Sequence, residues 1–217
     1  MKILQLIFGN ELEKFQRKWR VSNEHNATVP QRVFPVERVE VGRYSYGKLD
    51  IVTYNEECKD KVIIGNFVSI SDDVRFLLDE NHQTKTYSTF PFKSILHKRQ
   101  FSADAVSKGN ICVGDEVWIG QRVTILSGVV IGKGAIIATG SVVVQDVPPY
   151  SVVAGVPARV VKKRFDEEII SRLVKIDLSG FNKAALIENI DLLYEPLTEK
   201  TILSLEGRFG LGGVKNE

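Results

Sequence analysis

The chain has 217 residues, of which 43% are hydrophobic and 26% are charged. This composition is that of an ordinary globular protein and excludes a disordered chain. The 29 basic and 27 acidic side chains leave a net charge of +2, which argues against a general nucleic-acid or membrane-surface binder. We therefore expect one large folded domain, or one domain with an appended tail.

The sequence favours a cytoplasmic location. The apolar stretch near residue 1 is too short for a secretory signal peptide, and no run of 18 apolar residues predicts a membrane span. Cys58 and Cys112 lack the CxxC spacing of zinc and redox sites, and so few cysteines suit a reducing compartment.

Residues 1–37 form an N-terminal segment, in which residues 10–20 predict a short helix.

A six-residue repeat dominates the middle of the chain. An aliphatic residue recurs every six positions, and a small or branched residue recurs two positions before it. This period fits neither a helix nor a long alternating strand, and it predicts short strands separated by turns, with both positions pointing inward and glycines at the turns. The two series are Val113, Ile119, Ile125, Ile131, Ile137 and Val143, and Ile111, Val117, Val123, Val129, Ala135, Ser141 and Val147.

The same period occurs earlier, in Val62/Ile64 and Val68/Ile70, with an irregular bulge predicted near residues 48–60. Residues 78–108 abandon the period completely. A stretch of this length between two blocks of one repeat predicts a loop expelled from the coils, and long loops in compact domains are usually functional or disordered.

The C-terminal part, residues 165–217, has a helical pattern instead of the six-residue period. Residues 165–178 fit an amphipathic helix whose acidic start complements the helix dipole. A second helix is predicted over residues 183–195, and residues 207–217 are predicted to be a flexible tail.

These hexads resemble the repeat of left-handed parallel β-helix acyltransferases, in which three strands make one coil of a triangular prism. The resemblance implies an all-β solenoid over residues 38–164, with the expelled loop 78–108 and a small helical C-terminal segment. Two loop motifs, Asn81–Thr84 and Ser88–Phe92, together with Asp115–Gly120 and Asp146–Ala158, are similar to the xenobiotic acetyltransferase branch of that family.

In that branch the loop histidine is the general base, and the matching residue is His82. Acetyl transfer from a thioester to a hydroxyl needs a group that takes the hydroxyl proton, and imidazole suits this near pH 7. Direct attack needs no covalent acyl-enzyme. Asp79 or Glu80 is a candidate for orienting the imidazole, and each is equally a solvated loop charge. We expect His25 and His97 to be surface or structural residues.

The resemblance implies acetyl-CoA as the donor, held between neighbouring subunits of a homotrimer, with no metal. The matching positions are Trp118, Gln121, Ala138, Thr139, Gly140 and Val144. At Val144-Gln145 many relatives have Thr-Lys, so this chain loses a hydroxyl and a positive charge there. A basic cluster that includes Arg159, Lys162 and Lys163 suits the CoA phosphates, or is a solvated surface.

Tyr44 and Tyr46 match a family position near the acceptor pocket, whereas Phe90 and Phe92 are expected to anchor the loop. Antibiotic-modifying relatives carry a tryptophan-rich segment where this chain has Lys175–Ser179. We therefore favour a hydroxyl of a sugar or surface-polysaccharide precursor as the acceptor. The alternative acceptor is an antibiotic, chloramphenicol or a streptogramin.

Two other classes of protein fit these residues less well. A non-catalytic trimeric scaffold would not need the His82 loop. Gamma-class carbonic anhydrases share the β-helix and hold zinc with three histidines, but the spacing of residues 25, 82 and 97 does not match that pattern.

Overall fold

The computed structural model describes residues 2–96 and 104–210, with the backbone alone for residues 2–10. The chain divides into two compact units, Met1–Lys163 and Arg164–Glu217. Short parallel strands make up most of the first unit, and the second is helical. Among the described helices, none has the length and apolarity needed to cross a membrane.

The first unit begins with a helix and continues as a succession of short strands. Its elements are α1 (Lys2–Ser22), β1 (Ala27–Pro30), β2 (Val39–Val41), β3 (Tyr46–Val52), β4 (Val62–Ile64), β5 (Ser69–Ile70), β6 (Arg75–Leu77), α2 (Phe92–Leu96), β7 (Ile111–Val113), β8 (Trp118–Ile119), β9 (Thr124–Leu126), β10 (Val130–Ile131), β11 (Ile136–Ile137), β12 (Val142–Val143), β13 (Ser151–Gly155) and β14 (Ala158–Lys163).

Helix α1 is longer than the predicted helix over residues 10–20. Phe15 and Trp19 lie one turn apart on the same face, and both rings pack edge-on against Phe34, at centroid distances of 4.9 and 5.4 Å. The buried Trp19 indole also donates a hydrogen bond to the Thr28 hydroxyl at 3.1 Å. The C-terminal half of α1 is therefore fixed by tertiary contacts.

The strands pair in parallel, and the partners are separated by three repeats of the six-residue period. Cys112 pairs with Val130, Trp118 with Ile136 and Thr124 with Val142, so the separation is the same in all three ladders. Three strands thus complete one coil before the chain returns beside itself. The ladders run β2-β4-β7-β10, β3-β6-β9-β12 and β3-β5-β8-β11-β13, and β14 pairs antiparallel with β13.

The inward positions predicted from the six-residue period are confirmed. Every residue of both series is buried, from 0% exposure at Ile119 to 4% at Val147. The earlier pairs Val62/Ile64 and Val68/Ile70 are buried in the same way and join the same core. Columns of aliphatic side chains therefore fill the centre of the coils, which is the main source of their stability.

The glycines that directly follow an inward-pointing aliphatic residue, such as Gly114, are needed for close approach between coils. A Cβ atom on Gly114 would lie 2.7 Å from the backbone nitrogen of Lys133 in the next coil. The left-handed conformation occurs two residues later, where non-glycine residues such as Phe67, Glu116 and Arg122 have φ near 60°. At the same corner position, φ is also positive at Gly128, Gly134 and Gly140. The expectation that glycines fill the turns is therefore correct, with conformational freedom as the reason at these three positions and close approach as the reason at Gly114.

Two segments interrupt the regular separation of paired strands in the first unit. Val62 pairs with Ile111, and removing the stretch 78–108 from between them would restore the regular separation. Asp50 pairs with Arg75, also beyond the regular separation, and the extra residues follow the end of β3 at Val52. The pairing separation changes between Gly47 and Asp50, and the extra residues begin at Thr53, so the irregularity falls where the sequence predicted it, near residues 48–60.

The second unit contains α3 (Glu167–Leu173), α4 (Lys183–Glu188), α5 (Ile190–Tyr194) and α6 (Glu199–Phe209). Its core includes the edge-on pair Phe181 and Phe209. Arg172 donates two hydrogen bonds to Glu206, at 2.8 and 2.7 Å, and this interaction lowers the pKa of that carboxyl. The prediction of a flexible tail from residue 207 was wrong for residues 207–209, which belong to α6; residues 211–217 lie outside the described part.

We predict that Gly114→Ala destabilises the first unit by about 1–3 kcal/mol, since the added methyl meets backbone atoms that cannot move independently. The matched control is Gly207→Ala, where the same methyl enters open space in α6 and is expected to leave stability unchanged or raise it by up to about 1 kcal/mol. Calorimetric unfolding measures both. Equal stability of the two variants would contradict the close-approach explanation.

Candidate active site

The expelled loop leaves the coils after β6 and is tied across its base. Asn81 and Val106 exchange two backbone hydrogen bonds, at 3.2 and 2.8 Å. The Asn81 side chain also donates to the Val106 carbonyl and to the buried Ser127 hydroxyl. Residue 82 therefore follows a fixed anchor, although the loop itself lies at the surface.

His82 is exposed, and its ring is held by the loop backbone. Its Nδ1 lies 2.8 Å from the Thr89 carbonyl oxygen. A carbonyl only accepts hydrogen bonds, so Nδ1 carries the proton in the neutral ring, and Nε2 has the lone pair. This tautomer is the one in which Nε2 acts as a base.

Asp79 and Glu80 were candidates for orienting this imidazole, and neither contacts it. The Asp79 carboxylate is fully buried and forms an ion pair with Arg38 at 2.9 Å. Glu80 is exposed on the loop surface. The group that orients His82 is the Thr89 carbonyl, which a search for carboxylates in the sequence does not find.

A cavity of about 450 Å³ opens in the same loop. His82 itself does not line it, but Thr89, which holds the His82 ring, is part of its wall. Its other lining groups are mostly hydroxyls and aromatic rings, with Lys93 and Asp104 adding opposite charges. The backbone N–H and hydroxyl of Ser94 both donate to Asp104 and lower the pKa of its carboxyl. The full lining is Gln83, Thr86, Tyr87, Ser88, Thr89, Phe90, Pro91, Phe92, Lys93 and Asp104.

The sequence predicted that Phe90 and Phe92 anchor the loop. In the structure they do not enter a core. Their rings contact each other at 4.8 Å and are each about half exposed, at 48% and 51%. Tyr87 is fully exposed. The loop therefore presents an aromatic surface at the mouth of the cavity.

Several predicted contact residues lie in one outward-facing column. Tyr46 pairs with Ser69, Ser69 pairs with Trp118, and Trp118 pairs with Ile136. Paired residues in parallel strands point the same way, so the half-exposed rings of Tyr46 and Trp118 share a face, about 10 Å apart. The column continues to Val152, whose antiparallel partner is Lys162.

Four further predicted contacts meet at a single corner of the coils. Gln121 follows β8, and Ala138, Thr139 and Gly140 follow β11 one coil later. The Gly140 N–H donates to the Gln121 carbonyl at 2.8 Å, and a Cβ on Gly120 would meet the Thr139 nitrogen at 2.7 Å. Val144 lies apart from this corner, exposed after β12.

The predicted basic residues Arg159, Lys162 and Lys163 are exposed on β14, the strand at the edge of the sheet. Their charges are close together on one strand and within reach of an anionic group in solution. Only the Lys162 position continues the column of Trp118.

Tyr44 differs from Tyr46 in its environment. It occupies a corner with φ of 62°, and its half-buried ring stacks on Phe67 at 5.3 Å. The His25 carbonyl accepts the Tyr44 N–H, and the His25 ring lies 2.8 Å from the Val41 carbonyl. Tyr44 is thus part of the corner packing, whereas Tyr46 is accessible.

Among the residues that the structure describes, no group of three His, Cys, Asp or Glu side chains is arranged to hold a metal ion. His25 is hydrogen bonded at the N-terminal edge of the coils and His82 lies on the loop. His97 is outside the described residues.

Comparisons with known proteins identify the family. Residues 113–145 match the family described as bacterial transferase hexapeptide (six repeats). The chain is 37% identical over 155 residues to a chloramphenicol acetyltransferase of Klebsiella aerogenes, covering 64% of this chain and 74% of that protein. It is 39% identical over 139 residues to a probable macrolide acetyltransferase of Lysinibacillus sphaericus, covering 62% and 77%.

The chain belongs to the hexapeptide-repeat acetyltransferases. It falls in the xenobiotic branch of that family, and it is an acyltransferase. A crystal structure of a hexapeptide-repeat-containing acetyltransferase from Vibrio cholerae has the same fold, with a TM-score of 0.54 and 22% identity over 76% of this chain and 93% of that one.

Within one copy of this acetyltransferase, the predicted groups separate into two sets. The His82 loop leaves the β3-β6-β9-β12 ladder after Leu77, whereas Tyr46 and Trp118 face outward from the ladder through β5, β8 and β11. Val144 follows the same ladder as the loop.

Sequence reasoning missed the polar residues below the loop. Arg38 and Asn55 donate hydrogen bonds to Asp79, and Arg38 also donates to Thr53. Asp79 lies three residues before His82 in the sequence. The bulge could have indicated Thr53 and Asn55, because residues that interrupt a regular repeat do not serve its core packing.

Proposed function

We propose that this acetyltransferase transfers an acetyl group from acetyl-CoA to a hydroxyl of a sugar or surface-polysaccharide precursor, with His82 as general base. The observation that carries the base assignment is the hydrogen bond from His82 Nδ1 to the Thr89 carbonyl. That bond fixes the tautomer, and the exposed position leaves Nε2 accessible to an acceptor hydroxyl.

The reaction is a direct displacement. Nε2 of His82 takes the proton of the acceptor hydroxyl while the oxygen attacks the thioester carbonyl, forming a C–O bond. The C–S bond then breaks, and the proton moves from the imidazolium to the departing thiolate. The Thr89 carbonyl stabilises the imidazolium, since Nδ1–H remains its hydrogen-bond donor throughout.

The donor site in this proposal combines the Trp118 column with the corner of Gln121, Ala138, Thr139 and Gly140. The flat exposed indole and adjacent backbone groups suit an extended pantetheine chain. Arg159, Lys162 and Lys163 supply positive charge for the phosphates. Val144 contributes apolar contact alone, because it has neither hydroxyl nor charge.

We propose that the coils are left-handed and that the active enzyme is a homotrimer. The separation of the His82 loop from the Trp118 face within one copy supports shared sites, where the loop of one subunit meets the donor face of the next. Since both cysteines are free, we assign the enzyme to the cytoplasm.

A sugar acceptor is supported by the cavity in the His82 loop, whose wall includes Thr89. Exposed aromatic rings with neighbouring hydroxyls suit a carbohydrate, whose ring faces are apolar and whose edges form hydrogen bonds. The segment Lys175–Ser179 joins α3 to α4 with Ile176 buried, and it has no tryptophan to offer an antibiotic. Tyr46 is the accessible tyrosine of the two predicted acceptor contacts.

The second candidate function is acetylation of an antibiotic hydroxyl. It is favoured by the names of relatives at 37% and 39% identity, a chloramphenicol acetyltransferase and a probable macrolide acetyltransferase. The same base and donor serve either acceptor, so the two functions differ only in the acceptor pocket.

His82→Ala is expected to lower kcat by about 10²–10⁴-fold, the usual cost of removing a general base. His25→Ala is the matched control and should retain full activity, because the His25 ring forms hydrogen bonds with the Val41 carbonyl and the neighbouring Asn26, away from the loop. Thiol release from acetyl-CoA measures both. Full activity of His82→Ala with every working acceptor would refute the base assignment.

The acceptor class is tested with a panel assayed for acetyl-CoA-dependent thiol release and product mass. Nucleotide-linked sugars and oligosaccharides are expected to be turned over with kcat/KM at least about 10-fold above that for chloramphenicol or virginiamycin. Efficient acetylation of an antibiotic without sugar turnover would reject the first candidate in favour of the second.

The assembly is tested by light scattering on the purified full chain. We expect a particle of three times the 24.3 kDa chain mass at concentrations where the enzyme is active. An active monomer would contradict shared sites.

A further inference from the structure

The bulge and the expelled loop leave the coils at the same corner. Val52 ends β3 and pairs with Leu77, which ends β6, so Thr53 and Leu78 begin the two irregular segments on stacked coils. The Leu78 N–H donates to the Val52 carbonyl at 3.0 Å. The bulge therefore lies directly below the segment that carries His82.

Residues of the bulge surround the first polar residue of the loop. One carboxylate oxygen of Asp79 accepts from the Thr53 hydroxyl at 2.7 Å and from Arg38 Nη1 at 2.9 Å. The other accepts the backbone N–H groups of Tyr54 and Asn55, at 2.6 and 3.3 Å. Four hydrogen bonds fix this carboxylate, and three of them come from bulge residues.

Arg38 completes the arrangement from the opposite side. Its Nη1 also donates to the Thr53 hydroxyl at 2.5 Å and the Asn55 carbonyl at 3.2 Å, and its Nε donates to the Asp60 carbonyl at 2.8 Å. The side chains of Arg38 and Asp79 are only 6% and 0% exposed. Arg38 links the two ends of the bulge to the start of the loop.

The bulge also holds the far end of the loop. The Asn55 side chain donates to the Ala105 carbonyl at 2.8 Å, next to Val106, which bridges to Asn81. Both ends of the loop are thus bound to one short segment. His82 follows Asp79 by three residues and Asn81 by one.

Stability alone does not explain this network. Burying an ion pair costs desolvation energy, and replacement by apolar residues is often neutral or stabilising. Arg38 Nη2 is buried without a hydrogen-bond partner among the described residues, which adds a further cost. The buried charges of Arg38 and Asp79 are therefore better explained by a role in fixing the geometry of the His82 loop.

We propose that Arg38, Thr53, Asn55 and Asp79, here called the loop clamp, position the backbone of His82 for proton transfer. This inference rests on the proposed function of His82 as the base. The clamp residues act through His82 and are positioning residues, because Asp79 and Arg38 are enclosed by protein. A displacement of the base by about 1 Å is enough to reduce the rate strongly.

The test removes one hydroxyl from the clamp without changing the side-chain shape. Thr53→Val should lower kcat by about 10-fold or more while KM for acetyl-CoA stays unchanged, and Thr53→Ser should restore kcat. The matched control is Thr28→Val, which removes a buried hydroxyl that bonds Trp19 and Asn26 instead. Both valine variants are expected to lower the melting temperature, but only Thr53→Val should lower kcat.

The double variant Thr53→Val/His82→Ala separates positioning from general damage. If the clamp acts through His82, Thr53→Val changes the residual rate of His82→Ala by less than about twofold. An equal loss of rate with and without His82, or an equal loss in Thr28→Val, would overturn the inference. A low rate of His82→Ala with unchanged kcat in Thr53→Val would reject the clamp alone, whereas full activity of His82→Ala would reject the base assignment and the clamp with it.

Discussion

The fold depends on one constraint: after each coil the chain must return to the same register, three six-residue repeats further on. With that separation, equivalent residues of successive repeats lie directly above one another. Aliphatic side chains therefore form continuous inner columns, and the backbones of successive corners are in contact. The tight corners leave no room for a Cβ at Gly114 or Gly120. A change of length inside a coil would move every later side chain to a different face.

Extra residues are therefore tolerated only where they leave the coil completely and return to the same place. Both insertions occur at the corner after β3 and β6, and the register is restored afterwards. The larger insertion carries His82, and the smaller one supplies partners for its two ends. The repeat thus provides rigidity, and the corner where it is interrupted carries the candidate base.

Much of the first unit was predictable from the sequence, because the period reports burial directly. The inner positions from Ile111 to Val147 are all buried. The role of His82 as the base stays a prediction from the motif around it. The helices were predicted less well. Helix α1 extends beyond residues 10–20 at both ends, whereas the contacts of Phe15 and Trp19 with Phe34 lie within that range. Helix α6 depends on contacts such as Phe209 with Phe181, which no local pattern reveals.

The partners of the candidate base were not predictable for a different reason. A carboxylate three residues before a histidine suggests that it orients the ring, yet Asp79 is bound by Arg38, which lies far earlier in the chain. The ring instead contacts the Thr89 carbonyl, and a backbone group has no signature in the sequence. Long-range polar contacts of this kind follow from how the two insertions stack.

Subunit mixing tests most directly whether His82 of one subunit works on the donor face of another. His82→Ala and Trp118→Ala chains are each expected to have low activity alone. An equimolar, randomly co-assembled mixture should recover about a quarter of the wild-type rate, because about a quarter of its interfaces join an unchanged His82 to an unchanged Trp118. Mixtures no more active than the separate variants would show that both residues serve a site within one chain.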